Sequence, residues 1–307
     1  MTTTFPTWIF TGNFTGGNGS QRDRLRPFPA LTNEMRCKQQ IFGIMKSSVK
    51  DIKTIELYQE KNTFILRLNR PEVHNAVNEE MMAELEQCLD LIETDATLRA
   101  IILTGAGQQT FCAGGDLKYF STLQTRRSCL TMSRRMQRIL TRFSSLRVPV
   151  IAAINGQALG GGCEILTACH FRIAAAHAQF SFRQAPNGII TGWGGGLRLF
   201  EILGKSKALQ LFLTGEQINS DTALQFGLID RIVDSEHLLD DTIAFAKKIQ
   251  QNSADAVAAF LELSECHGRI SPSQFTAFET EKFAELWTQE TFQTFLKRYR
   301  PKLSPKK

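Results

Sequence analysis

Residues 150–164 read Val-Ile-Ala-Ala-Ile-Asn-Gly-Gln-Ala-Leu-Gly-Gly-Gly-Cys-Glu, so that an apolar run passes through a turn into three consecutive glycines. This pattern predicts a buried strand over Val150–Ile154, a glycine-rich loop and then a helix. A similar order occurs upstream, where the apolar run Ala100–Leu103 precedes the loop Phe-Cys-Ala-Gly-Gly-Asp-Leu at residues 111–117. Because strands alternate with helices through this part of the chain, the sequence predicts an α/β fold.

The two glycine-rich loops are the segments best suited to bind a ligand through the backbone. In the second loop, Gly160 to Gly162 lead into the predicted helix, whose first N–H groups have no partner within the helix. Amides fixed before reaction are the usual means of stabilising an oxyanion, and losing one such donor lowers the rate by on the order of 10² to 10³. The alternative is that the glycines only allow a helix and a strand to pack closely.

The flanking sequence divides the chain into three regions. Residues 1–50 are rich in Gly, Thr and Asn and are predicted to be a disordered extension, residues 51–250 to form the α/β core, and residues 251–307 to form a C-terminal helical region. Within the core, Thr54–Leu57 and Thr63–Leu68 predict a β-hairpin, and helices are predicted over residues 79–93 and 126–144. The aromatic side chains between Phe275 and Tyr299 suggest that the C-terminal helices pack against a partner surface.

Composition places the chain among ordinary globular proteins. It has 307 residues, 42% of them hydrophobic, and a formal net charge of +6. No apolar run approaches the roughly 20 residues that cross a bilayer, and the chain lacks the pattern of a secretory signal. The seven cysteines are scattered and none forms a CxxC pair, so neither a disulfide framework nor a zinc site is predicted. We expect a cytoplasmic protein with no membrane partner, or a mitochondrial matrix protein if residues 1–50 are a presequence.

Two other glycine patterns do not fit a nucleotide site. Leu203–Ser206 ends like a phosphate-binding loop, but leucine stands at position 199, where the first glycine belongs. The segment from Gly192 to Leu197 lacks the GxGxxG spacing of a dinucleotide site. Neither a nucleoside triphosphate nor NAD is therefore expected, and no bound cofactor or metal is predicted.

Four ordered motifs resemble those of the crotonase, or enoyl-CoA hydratase/isomerase, family. They are Leu68-Asn69-Arg70-Pro71 through Asn75-Ala76, Phe111–Leu117, Ala158–Glu164 and Gly188–Gly195, within a similarity that spans residues 52–300. The resemblance implies an α/β spiral of ββα units, assembly as homotrimers or dimers of trimers, and a bent coenzyme A thioester as the substrate. Coenzyme A is then part of the substrate and not a cofactor.

Matched residue by residue, the family's two oxyanion amides fall on Gly115 and Gly161. The resemblance also implies contacts with coenzyme A or the acyl group, which match Glu72, His74, Ala76, Ala113, Asp116, Leu117, Gln184 and Gly192. A thioester carbonyl that accepts two amide hydrogen bonds becomes an electron sink, so the side chains over the α- and β-carbons select the reaction.

The two glutamates with which hydratases of the family flank the attacking water match Glu164 and Gln184. Glu164 is therefore a candidate catalytic residue, the alternative being a first-turn carboxylate favoured by the helix dipole. Gln184 cannot exchange protons near neutral pH, and no Asp or Glu occurs between Ile165 and Phe200. Isomerisation is thereby weakened, and two lyase reactions stay open: hydration of an enoyl-CoA with an altered acid partner, and decarboxylation of an α-carboxyacyl-CoA.

Shorter matches resemble the ethylmalonyl-CoA decarboxylase branch of the family. They include Leu140–Phe143, Thr167–Cys169 and Trp193, where ordinary hydratases have a small residue. Decarboxylation needs the oxyanion hole, a pocket that turns the carboxylate out of the thioester plane and a proton source. Arg183 or Gln184 is a candidate ligand for that carboxylate. His170 stands where relatives commonly carry aspartate and is predicted to be structural.

An arginine-rich helix suggests a different class of function. Residues 117–147 contain no acid, and the predicted helix carries Arg126, Arg127, Arg134, Arg135, Arg138 and Arg142. Because some relatives bind RNA through a basic helix, an RNA-binding or scaffolding protein on a crotonase fold is the alternative function. We expect instead that these arginines face solvent, the coenzyme A phosphates or a neighbouring subunit, so nucleic acid is not predicted as a partner.

Overall fold

The computed structural model describes residues 52–298, in which ten strands form two sheets. The strands are β1 (Ile55–Glu60), β2 (Thr63–Leu68), β3 (Ala100–Gly105), β4 (Thr110–Cys112), β5 (Val150–Ile154), β6 (Gln157–Leu159), β7 (Phe171–Ala175), β8 (Gln179–Ser181), β9 (Ile218–Asn219) and β10 (Arg231–Val233). The larger sheet has the order β1-β2-β3-β5-β7-β10 and is parallel except for the β1–β2 hairpin. Every residue of β3 and β5 is buried, as expected for parallel strands that are covered on both faces.

Helices cover both faces of this sheet. The described residues form α1 (Glu79–Thr94), α2 (Leu117–Phe120), α3 (Arg126–Ser144), α4 (Gly161–Thr167), α5 (Gly195–Thr214), α6 (Ser220–Phe226), α7 (Leu238–Gln250), α8 (Ala254–Cys266), α9 (Pro272–Thr288) and α10 (Glu290–Lys297). Successive residues of a strand point to opposite faces. Phe64 of β2 therefore lies in the main core with Leu85 of α1 and Phe143 of α3, whereas Ile65 packs in a second cluster with Ile243 of α7.

The smaller sheet, in the order β4-β6-β8-β9, determines where the candidate site lies. β4, β6 and β8 are parallel, with Cys112 opposite Ala158 and Ala158 opposite Phe180. The carboxyl ends of parallel strands lie at one edge of a sheet. Three segments that are far apart in sequence, residues 113–116, 160–164 and 182–184, therefore start from the same edge.

The C-terminal helices α8, α9 and α10 follow the last strand. Glu262 joins α8 to α9 through Lys282 (2.8 Å) and to the segment before β5 through Arg147 (3.1 Å). Several large aromatic side chains of these helices are exposed, namely Phe260, Phe283, Trp287 and Phe295. The expected partner surface for them stays a prediction.

Most of the predicted elements are confirmed, and the first strand is corrected. α3 and β5 have the predicted bounds, and α1 is one residue longer than predicted. β1 runs over Ile55–Glu60 instead of Thr54–Leu57, because its pairing with β2 continues until Glu60 faces Thr63. Lys61, at φ +54°, begins the two-residue turn between them. The predicted disorder of residues 1–50 lies outside the described residues.

Candidate active site

Two backbone amides beside the smaller sheet are available to bind an anion. The N–H groups of Gly115 and Gly161 have no hydrogen-bond acceptor among residues 52–298, and both residues are partly exposed. The Gly115 amide has no partner among these residues because the hydrogen bonds of this segment involve its two neighbours. The Val77 amide donates to the Gly114 carbonyl, and the Asp116 amide donates to the Val77 carbonyl. Gly161 is the first residue of α4, where amides have no partner within the helix.

The loops that carry these amides are in close contact. A Cβ atom on Gly114 would lie 2.8 Å from the Gly161 nitrogen and 2.9 Å from the Leu159 carbonyl oxygen. Gly114 also has a φ of +92°, which residues with a side chain rarely adopt. Glycine at position 114 therefore allows the predicted oxyanion pair to lie on adjacent stretches of backbone.

Two aromatic rings pack against the glycines of the predicted oxyanion pair. A Cβ atom on Gly115 would collide with the Phe120 ring, and one on Gly161 would collide with the Trp193 ring. Trp193 is buried, whereas Phe120 is partly exposed. An acyl group whose carbonyl oxygen reaches both amides would lie beside these rings. Phe120 was not predicted from sequence, because a single aromatic residue after a loop carries no signal of such a contact.

The carboxylate of Glu164 is surrounded by donors. Its Oε1 accepts hydrogen bonds from Gln184 Nε2 (3.1 Å) and the Gly192 amide (3.2 Å). Its Oε2 accepts from the amides of Trp193 (2.7 Å) and Gly195 (3.0 Å). Burial raises the pKa of Glu164, and these four hydrogen bonds oppose the rise. Since each partner is a donor, Glu164 anchors the segment 184–195 to α4 in this arrangement.

The same segment is held from its other side by α3. The Gly192 carbonyl accepts hydrogen bonds from Ser133 Oγ (2.6 Å) and Gln137 Nε2 (3.0 Å). This carbonyl and the Trp193 amide belong to one peptide group, which therefore links α3 to Glu164. Bonds arranged in such a chain polarise and strengthen one another. Sequence reasoning missed this pair, although two polar residues four apart on a helix are expected to share a face.

One buried polar atom of this cluster has no partner. Gln184 is 6% exposed and donates through Nε2 to Glu164, but no described residue donates to its Oε1. A carboxylate accepts only from the amide nitrogen, which fixes the orientation of the side chain. The backbone of Gln184 is fixed as well, because its carbonyl accepts from the amides of Asn187 and Ile189. One hydrogen of its NH2 group is thus engaged by Glu164, and the expected contact of Gln184 with the substrate stays a prediction.

The residues predicted to contact coenzyme A differ in exposure. Glu72, His74 and Leu117 are exposed, Ala113 is partly exposed, and Ala76 and Asp116 are buried. Their contacts with coenzyme A stay a prediction.

The side chain of Asp116 has a structural role in this region. It caps α2 through the Tyr119 amide (3.1 Å) and pairs with Arg70 (2.8 Å), whose Nη1 also donates to the Ala76 carbonyl. Burial raises the pKa of Asp116, but the hydrogen bonds from Arg70 and the Tyr119 amide outweigh that effect and the pKa is lowered. Asp116 thus fixes the backbone that follows Gly115.

His170 has the structural role that the sequence predicts. Its Nδ1 accepts a hydrogen bond from the Val150 amide (2.9 Å), and its Nε2 faces the Ser144 carbonyl (3.1 Å). Burial lowers the pKa of His170 to about 4. The neutral ring therefore joins the end of α3 to the start of β5.

The arginines of α3 do not form the single basic surface that the sequence suggests. Arg135 pairs with Glu86 (2.7 Å), and Arg142 pairs with Asp90 (2.7 Å) and Glu93 (2.8 Å), all on α1. These two arginines tie α3 to α1, which the sequence did not indicate because the acids lie about 50 residues upstream. The exposed remainder is Arg126, Arg127, Arg134 and Arg138.

Over residues 52–298, no group of three or more His, Cys, Asp and Glu is placed to hold a metal ion. None of the helices in this range is long and apolar enough to cross a membrane. Its six cysteines are all free thiols.

The chain is similar to several known proteins. A family model described as enoyl-CoA hydratase/isomerase matches residues 58–306. A short-chain-enoyl-CoA hydratase of Clostridium acetobutylicum is 34% identical over 243 residues, covering 78% of this chain and 92% of that protein. A probable enoyl-CoA hydratase of Bacillus subtilis is 35% identical over 252 residues, covering 80% of this chain and 97% of that protein. The crystal structure of an enoyl-CoA hydratase from Bacillus anthracis matches with a TM-score of 0.77 at 30% identity, covering 83% of this chain and 98% of that chain.

Proposed function

Because the chain belongs to the enoyl-CoA hydratase/isomerase family and has its α/β crotonase fold, we propose that it is a lyase that acts on acyl-CoA thioesters through an enolate. The observation that carries this proposal is the pair of unengaged amides at Gly115 and Gly161. A thioester oxygen that accepts both hydrogen bonds withdraws electrons from the α-carbon. The bonds strengthen as negative charge develops on that oxygen, so they favour the enolate over the bound substrate.

Within this class, the arrangement of Glu164 favours decarboxylation of an α-carboxyacyl-CoA. Hydration needs a group that takes a proton from water while the water adds to the β-carbon. Glu164 has both oxygens occupied by donors, and the partner at position 184 is an amide. Loss of CO2 needs no such base. The bond between the α-carbon and the carboxylate breaks, its electron pair forms the enolate, and the charge moves to the oxygen between Gly115 and Gly161.

Hydration of an enoyl-CoA is the second candidate reaction. It is favoured by the names of the relatives, which are enoyl-CoA hydratases at 34% and 35% identity, and by the glutamate at position 164. For this reaction Glu164 would have to give up at least one of its four donors to water. Burial, which raises the pKa of Glu164, would then help it to act as an acid near neutral pH.

Assembly and location are further parts of the proposal. Exposed aromatic residues on α8, α9 and α10 supply apolar surface for the contacts of a homotrimer or a dimer of trimers. A cytoplasmic location, or the mitochondrial matrix if residues 1–50 are a presequence, stays a prediction. The RNA-binding alternative is weakened because Arg135 and Arg142 are engaged by acids of α1.

The reaction is tested by assaying crotonyl-CoA and ethylmalonyl-CoA side by side with the full chain. We expect CO2 release from ethylmalonyl-CoA and slow hydration of crotonyl-CoA. Rapid hydration without CO2 release would select the second candidate, and turnover of neither substrate would refute the lyase proposal.

The oxyanion site is tested by Gly114→Ala, which forces the two loops apart without changing a polar side chain. We expect turnover to fall by on the order of 10² to 10³. Gly107→Ala is the matched control, because Gly107 has a similar φ of +82° but space for a Cβ atom, the nearest contact being 3.9 Å away. Equal losses in both variants would mean that backbone strain, and not the separation of the loops, lowers the rate.

A further inference from the structure

The open oxygen of Gln184 lies in the same cluster as one of the oxyanion amides. Glu164 follows Gly161 by three residues in α4, so the two lie on one face of the helix. Glu164 binds Gln184, and it also binds the amide of Trp193, whose ring packs on Gly161. Gln184 Oε1 is therefore a fixed, buried acceptor in the hydrogen-bonded cluster that adjoins Gly161.

A buried carbonyl oxygen without a donor is unfavourable by about 1–3 kcal/mol, so a ligand that donates to it is expected. A substrate carboxylate has no hydrogen to donate at neutral pH and would be repelled. A water molecule is the simplest donor of the right kind, because it can give one hydrogen to Oε1 and direct the other elsewhere.

Several side-chain donors around the cluster are engaged by the protein itself. Ser133 donates to the Gly192 carbonyl and Thr167 donates to the Glu164 carbonyl. Arg198 donates to Thr167 Oγ1 and to the Trp193 carbonyl. The hydroxyl hydrogens of Ser133 and Thr167 are thus already donated to backbone carbonyls, so we take a bound water molecule as the proton source for an enolate formed beside Gly161.

We propose that Gln184 is a catalytic residue whose Oε1 accepts a hydrogen bond from the water molecule that protonates the enolate, and thereby sets the face on which the proton arrives. This inference rests on the proposed decarboxylation. After CO2 has left, an O–H bond of water breaks, its proton forms the new C–H bond with the enolate electron pair, and the thioester carbonyl is restored. The hydroxide that remains combines with CO2 as hydrogencarbonate, so atoms and charge balance. Glu164 is a positioning residue, since it holds the amide nitrogen and turns the oxygen towards the water.

The test follows the stereochemistry of the product in D2O. Decarboxylation of ethylmalonyl-CoA gives butyryl-CoA with one deuterium, and the α-carbon that carries it is chiral. The wild-type chain is compared with Gln184→Leu, which removes both polar atoms, and with Gln184→Lys, which keeps a donor for Glu164 but offers no acceptor. Butyryl-CoA incubated with each protein in D2O is the control for exchange after the reaction, and urea unfolding shows whether each variant is folded.

We expect a single deuterated enantiomer from the wild type and a near-equal mixture from both variants. Gln184→Lys is the decisive variant because it keeps Glu164 paired, so a loss of stereochemical preference cannot be assigned to loosening of the segment 184–195. The inference is overturned if both variants give the wild-type enantiomer, or if the wild type itself gives a mixture while releasing CO2. Absence of CO2 release from the wild type would instead refute the proposed decarboxylation, and this inference with it.

Discussion

Replacement of Glu164 by glutamine separates the anchoring role of this residue from a role in chemistry. The variant keeps the size of the side chain but converts one acceptor oxygen into an NH2 group. The two strongest bonds of the carboxylate, from the amides of Trp193 (2.7 Å) and Gly195 (3.0 Å), can be kept by the remaining oxygen. The NH2 group then faces Gln184 Nε2 and the Gly192 amide, which are also donors.

The expected loss of stability follows from this mismatch. Gln184 can turn its amide over and accept from the new NH2 group, but the Gly192 amide is left facing a donor. One unpaired buried donor lowers the free energy of unfolding by about 1–3 kcal/mol, and two charge-assisted hydrogen bonds become neutral ones, at about 1 kcal/mol each. Relief from burying a charge offsets part of this sum. We therefore expect a net loss of about 2–4 kcal/mol, or a Tm lower by about 4–16 °C for a chain of this size.

Urea unfolding of wild type and Glu164→Gln measures this loss. Glu86→Gln is the matched control, because it removes a carboxylate that pairs with Arg135 at a partly exposed site, where about 0–1 kcal/mol is expected. If Glu164→Gln unfolds within about 0.5 kcal/mol of the wild type and yet loses turnover, Glu164 acts in the chemistry and the anchoring argument is refuted. If Gln184 turns its amide over as described, this variant should also lose the stereochemical preference in D2O, since the open oxygen then faces the side chain at position 164 and not the water.

His170 should make stability depend on pH. Because folding lowers its pKa from 6.5 to about 4, the unfolded chain binds more protons than the folded chain between these pH values. The contribution of His170 to the free energy of unfolding is therefore complete above pH 6.5 and falls by about 2 kcal/mol down to pH 5. Urea unfolding above pH 6.5 and at pH 5 should show a smaller fall in stability for His170→Gln than for wild type or for His267→Gln, which changes an exposed histidine. Asn155 accepts a hydrogen bond from the Gly105 amide (3.0 Å) and donates one to the Gly107 carbonyl (2.9 Å). Asn155→Leu should therefore lower the free energy of unfolding by about 2–4 kcal/mol in the same assay. An unchanged midpoint would show that the loop between β3 and β4 is held by other contacts. Ser133→Ala leaves Gln137 as the one side-chain donor to the Gly192 carbonyl among the described residues. We expect the free energy of unfolding to fall by about 1 kcal/mol and kcat to fall at a similar KM. A change in KM alone would contradict a positioning role for Ser133.

Elements with local signals at their ends could be predicted closely from the sequence. α3 begins after Thr125, whose side chain accepts from the Ser128 amide, and its apolar stripe continues to Phe143 in the last turn. β5 is an uninterrupted apolar run bounded by Pro149 and Asn155. β1 was harder, because its far end is set by pairing with β2 and not by its own pattern.

The site was only partly predictable for a related reason. β4, β6 and β8 are three residues long, which is too short for a periodic pattern. Gly115, Gly161 and Glu164 could be proposed from the sequence because each lies within a single motif. The open oxygen of Gln184 could not be predicted from the sequence. It is left open because Gln184 donates to Glu164, whose other donors come from the loop around Gly192, and α3 holds that loop in place.

An amide at position 184 changes what its neighbour can do. A carboxylate there would repel Glu164 and would have no hydrogen to donate to it, which would leave both groups with oxygens for water. Gln184 instead donates to Glu164 Oε1, so the open acceptor at the site is the amide oxygen. An amide carbonyl is too weak a base to take a proton from water that adds to a double bond. It can still orient water towards an enolate, because the enolate carbon is itself the base. Under the proposed function, the exchange of one carboxylate for an amide therefore favours loss of CO2 over addition of water, although the oxyanion amides serve both reactions equally.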